Sequence, residues 1–193
     1  MSRQIAIIDA HPDPDPARYV HALADAYGDG AREAGHEVRK IMVGELDVPI
    51  LRTRQEWTDL PAPPSVESGQ AAIRWADHLV FFYPLWLGDM PGLLKVWLEQ
   101  ALRPGFALEY GNGKSPKPLL GGRSARVVVT MGMPALFYRA YFGEHSVRSF
   151  KRNILAGCGI DPVTRSLIGN VEGSAAHRQR WLKRMETHGF KGD

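Results

Sequence analysis

The sequence predicts an α/β protein with a doubly wound, five-stranded parallel sheet and helices on both faces of the sheet. Short apolar runs with the length and composition of buried parallel strands recur along the 193 residues. Amphipathic segments with apolar residues at helical spacing separate these runs. Because crossover connections between parallel strands are right-handed, the helices are expected to cover both faces. The length is that of one domain, residues 1–193.

Five segments carry the pattern of strands. Each is a short apolar run bounded by polar, glycine or proline residues, and the third and fourth runs are almost uninterrupted. Such runs are typical of strands that are buried on both faces of a parallel sheet. The predicted strands are residues 5–9, 36–43, 78–83, 124–131 and 160–168.

Five further segments carry the pattern of helices. In the first, apolar side chains recur at helical spacing from Val20 to Ala31, and Gly35 closes the helix. The third begins at Pro91, a residue suited to the first turn of a helix, and ends near Pro104. The other predicted helices are residues 66–76, 145–156 and 174–188.

Two long connections interrupt this alternation. Residues 44–64 are polar and rich in proline, and only residues 56–59 are expected to form a turn of helix. Residues 103–122 are predicted to be irregular, because they contain Gly111-Asn112-Gly113 and Pro116-Lys117-Pro118. Both connections exceed the usual length of loops in α/β units, so we expect them to carry function or contacts with a partner.

Composition excludes several classes of protein. Lysine and arginine exceed aspartate and glutamate by three, 24 against 21, but they form no basic run, so nucleic-acid binding is not expected. The seven histidines show no metal-ligand spacing, and Cys158, the single cysteine, is expected to be a small buried residue. No apolar run approaches the roughly 18 residues of a membrane span, and no signal-peptide pattern is seen, so a cytoplasmic protein is expected.

The connection after the first strand is a candidate anion site. It contains no glycine, so it matches neither the dinucleotide-binding fingerprint nor a P-loop. Anion binding would depend on the free amides of the following helix, assisted by His11 and Arg18. Asp15 argues against it, because this residue is a natural N-cap with Pro16 in the first turn, and its carboxylate would take the place of a phosphate. The alternative is a well-capped helix with an incidental histidine.

The connection after the third strand is a candidate ring-binding site. The strand stops at Pro84, and the short loop that follows begins with Leu85, Trp86 and Leu87. Open α/β sheets bind ligands at the carboxyl ends of their strands. We therefore expect these residues to form an aromatic platform that suits a flat, stacking cofactor.

The end of the fourth strand is expected at the same edge. Thr130 ends the strand, and Gly132 permits close approach of the backbone to the heteroatoms of a planar ring. Tyr138 and His145 follow, and they are candidates to supply a hydrogen bond or a proton to a reduced substrate. The alternative role of these two side chains is packing or capping.

Together these residues resemble a known family. Residues 83–95, YPLWLGDMPGLLK, are followed by RPGFA at 103–107, and His11-Pro12, Thr130-x-Gly132 and Tyr138 stand in the matching order. This order is similar to that of the flavodoxin-like NAD(P)H:quinone oxidoreductases. Among them are DT-diaphorase, the modulator-of-drug-activity quinone reductases and the ancillary proteins of glutathione-gated potassium efflux systems. The resemblance extends from about residue 5 to about residue 169.

The resemblance implies a flavodoxin-like fold, a bound flavin (FMN or FAD), NAD(P)H as hydride donor and a quinone-like acceptor. His11 and the start of the first helix would face the flavin phosphate. The isoalloxazine would be lined by Pro84, Leu85, Trp86 and Leu87, with Thr130 and Gly132 at its pyrimidine side. Tyr138 and His145 would assist hydride transfer. Members of the family are usually homodimers in which the partner subunit completes the pocket.

The chain departs from the family at two places. Pro16 stands where the family commonly has serine in the phosphate loop, and Asp13 and Asp15 add negative charge there. After Gly132 the family often has a second glycine, and this chain has Met133. These departures leave a second function open, that of a flavodoxin-like regulatory or ancillary subunit with weak or lost flavin binding.

Overall fold

The computed structural model describes residues 2–111 and 115–193 and contains the predicted sheet. Five parallel strands lie in the order β2-β1-β3-β6-β7, which is the flavodoxin-like order 2-1-3-4-5 when only these five are counted. Two further short strands, β4 and β5, form a separate antiparallel pair. The strands are β1 Gln4–Asp9, β2 Glu37–Met42, β3 His78–Pro84, β4 Leu108–Glu109, β5 Lys117–Pro118, β6 Ser124–Thr130 and β7 Val163–Ile168.

Helices connect the strands of the sheet. The α-helices of the described residues are α1 Tyr19–Glu33, α2 Arg54–Thr58, α3 Pro64–Trp75, α4 Gly92–Ala101, α5 Ala135–Ala140, α6 His145–Ser149 and α7 Ala175–Lys191. A single 3₁₀ turn, Val43–Glu45, follows β2. After α6 the chain continues as a π-helical segment, Phe150–Leu155, and a 3₁₀ turn, Ala156–Cys158. None of the helices described is both long and apolar enough to cross a bilayer.

The sheet divides the core into two layers. Every residue of β3 is buried, and successive side chains point to opposite faces, so Phe81 packs in one layer and Phe82 in the other. One layer includes Trp97 of α4, and the other includes Tyr27 of α1. Burying an aromatic or aliphatic side chain of this size contributes about 1.5–3 kcal/mol. The uninterrupted apolar runs of the sequence are thus explained by burial on both faces.

Helices α1 and α7 lie in direct backbone contact. A Cβ on Gly30 would stand 2.0 Å from the carbonyl oxygen of Glu186, and a Cβ on Gly189 would stand 1.9 Å from that of Tyr27. No real Cβ tolerates these distances. Glycine at both positions therefore allows the two helices to approach closely and to cover one face of the sheet together.

The two long connections differ from the sequence prediction in detail. The turn of helix predicted at residues 56–59 is α2, Arg54–Thr58, and buried Arg103 donates to the carbonyl oxygens of Glu56, Leu60 and Pro61. The segment predicted to be irregular, residues 103–122, contains the β4–β5 pair. Of its Gly111-Asn112-Gly113 sequence, the last two residues lie outside the described part of the chain.

Two further features were wrong in the sequence prediction. The fifth long strand begins at Val163 rather than at residue 160, because the preceding Pro162 has no N–H to donate to the ladder. The short helix α5 was not predicted, since its six residues are too few for a periodic pattern. Cys158 is a small buried residue, as predicted, and burial raises the pKa of its thiol to about 11.

Candidate functional site

Three loops meet at the carboxyl edge of the sheet, as the sequence predicts. They follow β1, β3 and β6, which are neighbours in the strand order. The rings of His11 and Trp86 lie edge to face with centroids 6.0 Å apart. The amide of Leu85 donates to the carbonyl oxygen of Thr130 at 2.8 Å. These two contacts join loops from neighbouring strands into one surface.

The loop after β3 forms a tight turn that presents apolar side chains. The Trp86 amide donates to the carbonyl oxygen of Asp89 at 2.8 Å, and the Asp89 amide donates to the carbonyl oxygen of Trp86 at 3.0 Å. Leu87 and Gly88 between them have φ of 48° and 82°, the left-handed pair of a type I′ turn. Left-handed backbone costs a leucine roughly 1–2 kcal/mol. The side chain of Leu87 is nonetheless fully exposed, and Trp86 is 48% exposed. The turn is therefore strained, and it exposes an indole and a leucine side chain. Exposed apolar side chains on a strained turn suit a surface that contacts a ligand.

Gly132 lies beside open space. A Cβ built on this residue would meet no atom within 4 Å, and its φ is outside the left-handed region. The fold itself therefore does not require glycine at this position. The space over the backbone is available to a ligand that approaches closely, as the sequence predicts.

The loop after β1 is organised around Asp13. The backbone amide of Asp13 donates to Nδ1 of His11 at 3.1 Å, and its carbonyl oxygen lies 3.0 Å from Nε2 of His21. Its carboxylate accepts from the Asp15 amide and from Nε of Arg18 at 2.8 Å. The Asp15 N–H, followed by the Arg18 guanidinium, holds the pKa of Asp13 below its ordinary value. The negative charge of Asp13 is therefore paired with Arg18, and its carboxylate holds the loop in shape.

The predicted N-cap is wrong. Helix α1 begins at Tyr19, its N-cap residue is Arg18, and no side chain caps it. The Asp15 carboxylate instead accepts from the amide of Ala17 at 3.0 Å, because Pro16 keeps Asp15 out of helical backbone. The first turn of α1 contains no acidic residue. Since the objection from Asp15 no longer applies, the start of this 15-residue helix is compatible with an anion.

Arg18 and His11 have different surroundings within this loop. The half-exposed guanidinium of Arg18 pairs with Asp13 at 2.5 Å and with Asp15 at 3.6 Å, so its charge is already engaged. Partial burial, followed by the neighbouring charges of His21 and Arg18, lowers the pKa of His11 despite its contacts with Asp13. His11 is thus a neutral ring at pH 7 that stands next to the Trp86 indole.

A buried charged cluster under this loop was missed by the sequence analysis. Asp9, fully buried at the end of β1, has Oδ2 2.7 Å from Nδ1 of His21 and 3.2 Å from Nζ of Lys40. Its Oδ1 has no hydrogen-bond partner among the described residues. Both ring nitrogens of buried His21 lie within hydrogen-bond distance of an oxygen, Nδ1 of the Asp9 carboxylate and Nε2 of the Asp13 carbonyl. An aspartate at the end of an apolar run and a histidine on the apolar face of α1 were the available signals.

The two predicted catalytic residues differ in their exposure to solvent. Tyr138 on α5 is 1% exposed, and its hydroxyl lies 2.7 Å from Oγ of Ser146. His145 is exposed and begins α6. The intervening Glu144 is buried with a left-handed φ of 55°.

Burial, and then the nearby Tyr138 and Asp89, raise the pKa of the Tyr83 hydroxyl, which has no partner in the described part of the chain. The roles of Tyr138 and His145 in hydride transfer stay predictions.

Two exposed aromatic side chains lie on α5 and just beyond it. Phe137 and Tyr141 stack with ring centroids 5.1 Å apart and an interplanar angle of 6°. They are 49% and 73% exposed. An apolar surface of this kind on a short helix indicates contact with a ligand or with another chain.

Comparison with known proteins agrees with this geometry. Residues 3–188 match the family described by a flavodoxin-like fold. The chain belongs to this family. An uncharacterized NAD(P)H oxidoreductase of Haemophilus influenzae is 30% identical over 169 residues, which are 86% of this chain and 83% of that protein. The solved NAD(P)H:quinone oxidoreductase of Methanothermobacter marburgensis is 25% identical with a TM-score of 0.83, and the alignment covers 100% of both chains.

A third relative is matched over a shorter region. The glutathione-regulated potassium-efflux system ancillary protein KefG of Cronobacter sakazakii is 39% identical over 70 residues, 36% of this chain and 35% of that protein. The chain also spans only 57% of the ribosyldihydronicotinamide dehydrogenase-like protein of Penicillium crustosum, at 28% identity. The predicted resemblance to flavodoxin-like NAD(P)H:quinone oxidoreductases, ancillary proteins included, is confirmed.

The residues at the carboxyl edge of this flavodoxin-like protein fit a flavin. The turn at Trp86 and Leu87 offers an apolar platform, and the open space at Gly132 admits the edge of a ring. The start of α1 carries no capping side chain, which suits a phosphate group. By contrast, no group of three histidine, cysteine or acidic side chains that could hold a metal ion occurs in residues 2–111 and 115–193.

Proposed function

We propose that the protein is a flavin-dependent NAD(P)H oxidoreductase that transfers a hydride from NAD(P)H, through bound FMN or FAD, to a quinone or similar small electrophilic acceptor. The observation that carries the proposal is the joint presence, at one sheet edge, of the exposed Trp86–Leu87 turn and the open space beside Gly132. The relatives that are named as NAD(P)H oxidoreductases support it.

In this proposal the chain binds and orients the flavin, and the flavin supplies hydride transfer when it is bound. Pro84, Leu85, Trp86 and Leu87 line the ring. The Leu85 amide is engaged with Thr130, so it fixes the distance between two loops rather than contacting the flavin. Trp86 provides the apolar face.

The phosphate of the flavin is assigned to the start of α1 and to His11. The free end of the helix supplies backbone N–H groups and the positive end of the helix dipole. Arg18 acts through Asp13, because their ion pair holds the loop in shape. The cationic Lys40 and the hydrogen-bonded His21 lie beneath the same loop and balance Asp9.

Tyr138 and His145 remain the proposed helpers in hydride transfer. The buried hydroxyl of Tyr138, with Ser146 as partner, can act on an acceptor only if α5 shifts. His145 needs no such movement because it is exposed. Replacing each by phenylalanine and glutamine, respectively, would then lower kcat while the flavin Kd stays unchanged.

The test is a visible spectrum of the purified protein before and after addition of FMN or FAD, followed by anaerobic NADH or NADPH. A bound flavin spectrum that bleaches with reduced nicotinamide, and recovers when a quinone is added, is the expected result. It also identifies the cofactor and the preferred donor. A flavin that binds but is never reduced by either nicotinamide would overturn the proposed reaction.

The second candidate is an ancillary or regulatory subunit with weak or lost flavin binding. The KefG relative supports it. So does the phosphate loop, where Pro16 replaces a serine and Arg18 is already paired with Asp13 and Asp15. Failure of both FMN and FAD to bind in the same titration would favour this candidate over the enzyme.

A further inference from the structure

A groove of about 610 Å³ lies beside the edge strand β7 and is lined on one side by α5, the helix that follows the β6 loop of the proposed flavin site. It shares no lining residue with that site. Ser166 and Arg126 on its floor point to the same face of the sheet as Ile168 and Val128, which pack in the layer with α1 and α7. Four guanidinium groups from four different elements line it, those of Arg126 on β6, Arg139 on α5, Arg165 on β7 and Arg184 on α7.

One of these arginines is held by contacts within the protein. Nε of Arg126 donates to the backbone oxygen of Asp193 at 2.8 Å, and Nη1 donates to Oγ of Ser166 at 3.0 Å. Its Nη2 lies 3.3 Å from the Asp193 carboxylate. Three of the five N–H groups of Arg126 are therefore used within the protein, and this side chain is part of the wall of the groove.

Two others share a single carboxylate. Glu144, 4% exposed, accepts from Nε of Arg165 at 2.6 Å and from its Nη2 at 3.1 Å. It also pairs with Nε of Arg139 at 3.0 Å. Nη1 of Arg165 and both terminal nitrogens of Arg139 have no acceptor among the described residues. Glu144 thus orients the two guanidinium groups and leaves three nitrogens available.

Arg184 has the most free donors. Its guanidinium carbon lies 4.8 Å from the centre of the Trp181 ring, and no residue in the described ranges accepts a hydrogen bond from it. Stacking on an aromatic face leaves the N–H groups at the rim of a guanidinium free. The four arginines are opposed by the side-chain carboxylates of Glu144 and Asp193, so the groove carries a net charge of four minus two, or +2.

We propose that this groove binds a phosphate-bearing small molecule of about the size of a mononucleotide. Guanidinium groups match the oxygens of a phosphate in pairs, and the unused nitrogens of Arg139, Arg165 and Arg184 belong to three different elements that line the groove. The volume of about 610 Å³ exceeds that of a free phosphate and lies in the range of small-molecule sites. Leu136 and Leu167 add apolar wall against which a ring can pack.

The experiment is a calorimetric titration of the full chain with ADP at low ionic strength, with adenosine as the comparison ligand. The Arg184→Gln variant is expected to raise the ADP Kd at least about tenfold, the size of a lost charge-assisted hydrogen bond. The matched control is Arg180→Gln, which removes the same charge from an exposed position one turn earlier on the same helix, outside the groove. It is expected to change the Kd less than about twofold. Adenosine should not bind.

Four outcomes would overturn the proposal. They are no saturable binding of ADP by the unaltered chain, equal weakening by both variants, no weakening by either, and adenosine binding as tightly as ADP. Equal weakening would mean diffuse attraction to a basic surface. Unchanged binding in both variants would place ADP elsewhere, for example in the flavin site. Circular dichroism of the variants establishes that each has folded.

Discussion

At the scale of single residues, the candidate site includes positions where the fold itself does not require the residue that is present. Gly132 is such a position, because a side chain there would meet no protein atom. Leu87 is another, because it is strained and exposed at the same time. Each can be changed with little expected effect on folding, so each separates binding from stability.

Replacing Gly132 by valine is expected to abolish flavin binding and to leave the free energy of unfolding within about 1 kcal/mol of the original. The valine would occupy the open space next to the platform. Flavin titration and urea unfolding measure the two quantities. The control is Gly157→Val, also in open space but in the 3₁₀ turn that follows the π-helical segment, which should retain flavin. Flavin binding by the Gly132 variant would contradict the assigned position of the ring.

Substitution of His21 tests whether it stabilises the buried cluster of Asp9, His21 and Lys40. Replacing it by glutamine leaves the buried carboxylate of Asp9 with Lys40 as its remaining cationic neighbour among the described residues. Breaking a buried pair from one side costs about 3–5 kcal/mol. The double variant Asp9→Asn with His21→Gln should recover part of this loss, because the buried carboxylate is then removed as well and Lys40 keeps Asp25 as a partner. Urea unfolding of the two single variants and the double variant gives the coupling, and strict additivity would show that the pair is not coupled.

At the scale of elements, the contact between α1 and α7 decides how one face of the sheet is covered. Two glycines two residues apart on α1 have opposite surroundings. A Cβ on Gly28 would meet the flexible end of Arg32 at 3.2 Å, whereas a Cβ on Gly30 would meet the Glu186 backbone at 2.0 Å. The helix pair is therefore held together by a backbone approach at one of these positions and not at the other.

Alanine at these two positions is expected to act in opposite directions. Gly30→Ala should lower the free energy of unfolding by about 1–3 kcal/mol or more, since the helices must separate. Gly28→Ala should be neutral or stabilising by up to about 1 kcal/mol, because alanine is the better helix former. Thermal and urea unfolding compare them. Similar losses in both variants would show that the close approach at Gly30 does not limit the packing.

At the scale of the whole molecule, the exposed aromatic pair on and beside α5 indicates a surface that another chain can cover. Phe137 and Tyr141 stack on one another but are about half and three-quarters exposed. Trp86 and Leu87 are exposed at the same sheet edge. A second copy of the chain that covers this surface would complete the pocket, which is the homodimer we propose.

The homodimer predicts a mass in solution of about twice 21.5 kDa. Tyr141→Glu should give a monomer with an unchanged circular dichroism spectrum, because a charge on this surface opposes association. Light scattering after size exclusion measures the mass. Tyr110→Glu, an exposed tyrosine on the 103–122 connection, is the control and should remain dimeric. A monomeric unaltered chain would rule out the homodimer.

His78 makes the stability of the whole molecule depend on pH. Burial, followed by the charges of Arg3 and Arg126, lowers the pKa of His78 to about 4. The unfolded chain, with an ordinary histidine pKa near 6.5, therefore binds more protons between about pH 4 and 6.5. Stability is full above about pH 6.5 and falls as the pH decreases, by about 2 kcal/mol between pH 7 and pH 5 for this group.

The check compares the pH dependence of two proteins rather than their absolute stabilities. Urea unfolding at pH 7 and pH 5 should show a smaller loss in His78→Gln than in the unaltered chain. Equal losses in the two proteins would mean that another group controls the acid sensitivity.

The sequence by itself determined the parts of the protein that follow from local pattern. The apolar runs predict the five parallel strands, and the order of motifs predicts that the loops after the first, third and fourth of them share an edge. These predictions succeed because side-chain periodicity reflects burial directly. The platform at Trp86 and the glycine at 132 could be recognised for the same reason, since each follows immediately from the end of a strand.

Only the tertiary structure decided the features that need residues far apart in the chain. The partners of Asp13 and Asp15 are only two to five residues away, but which partner each carboxylate contacts depends on the conformation of the folded loop, and the sequence pattern did not predict it. The Asp9–His21–Lys40 cluster joins β1, α1 and β2, and the arginine groove joins β6, α5, β7 and α7. No periodicity records such contacts. The physical reason is that the role of a charged side chain in this protein depends on the group it contacts. The fold, rather than the local sequence, brings these groups together.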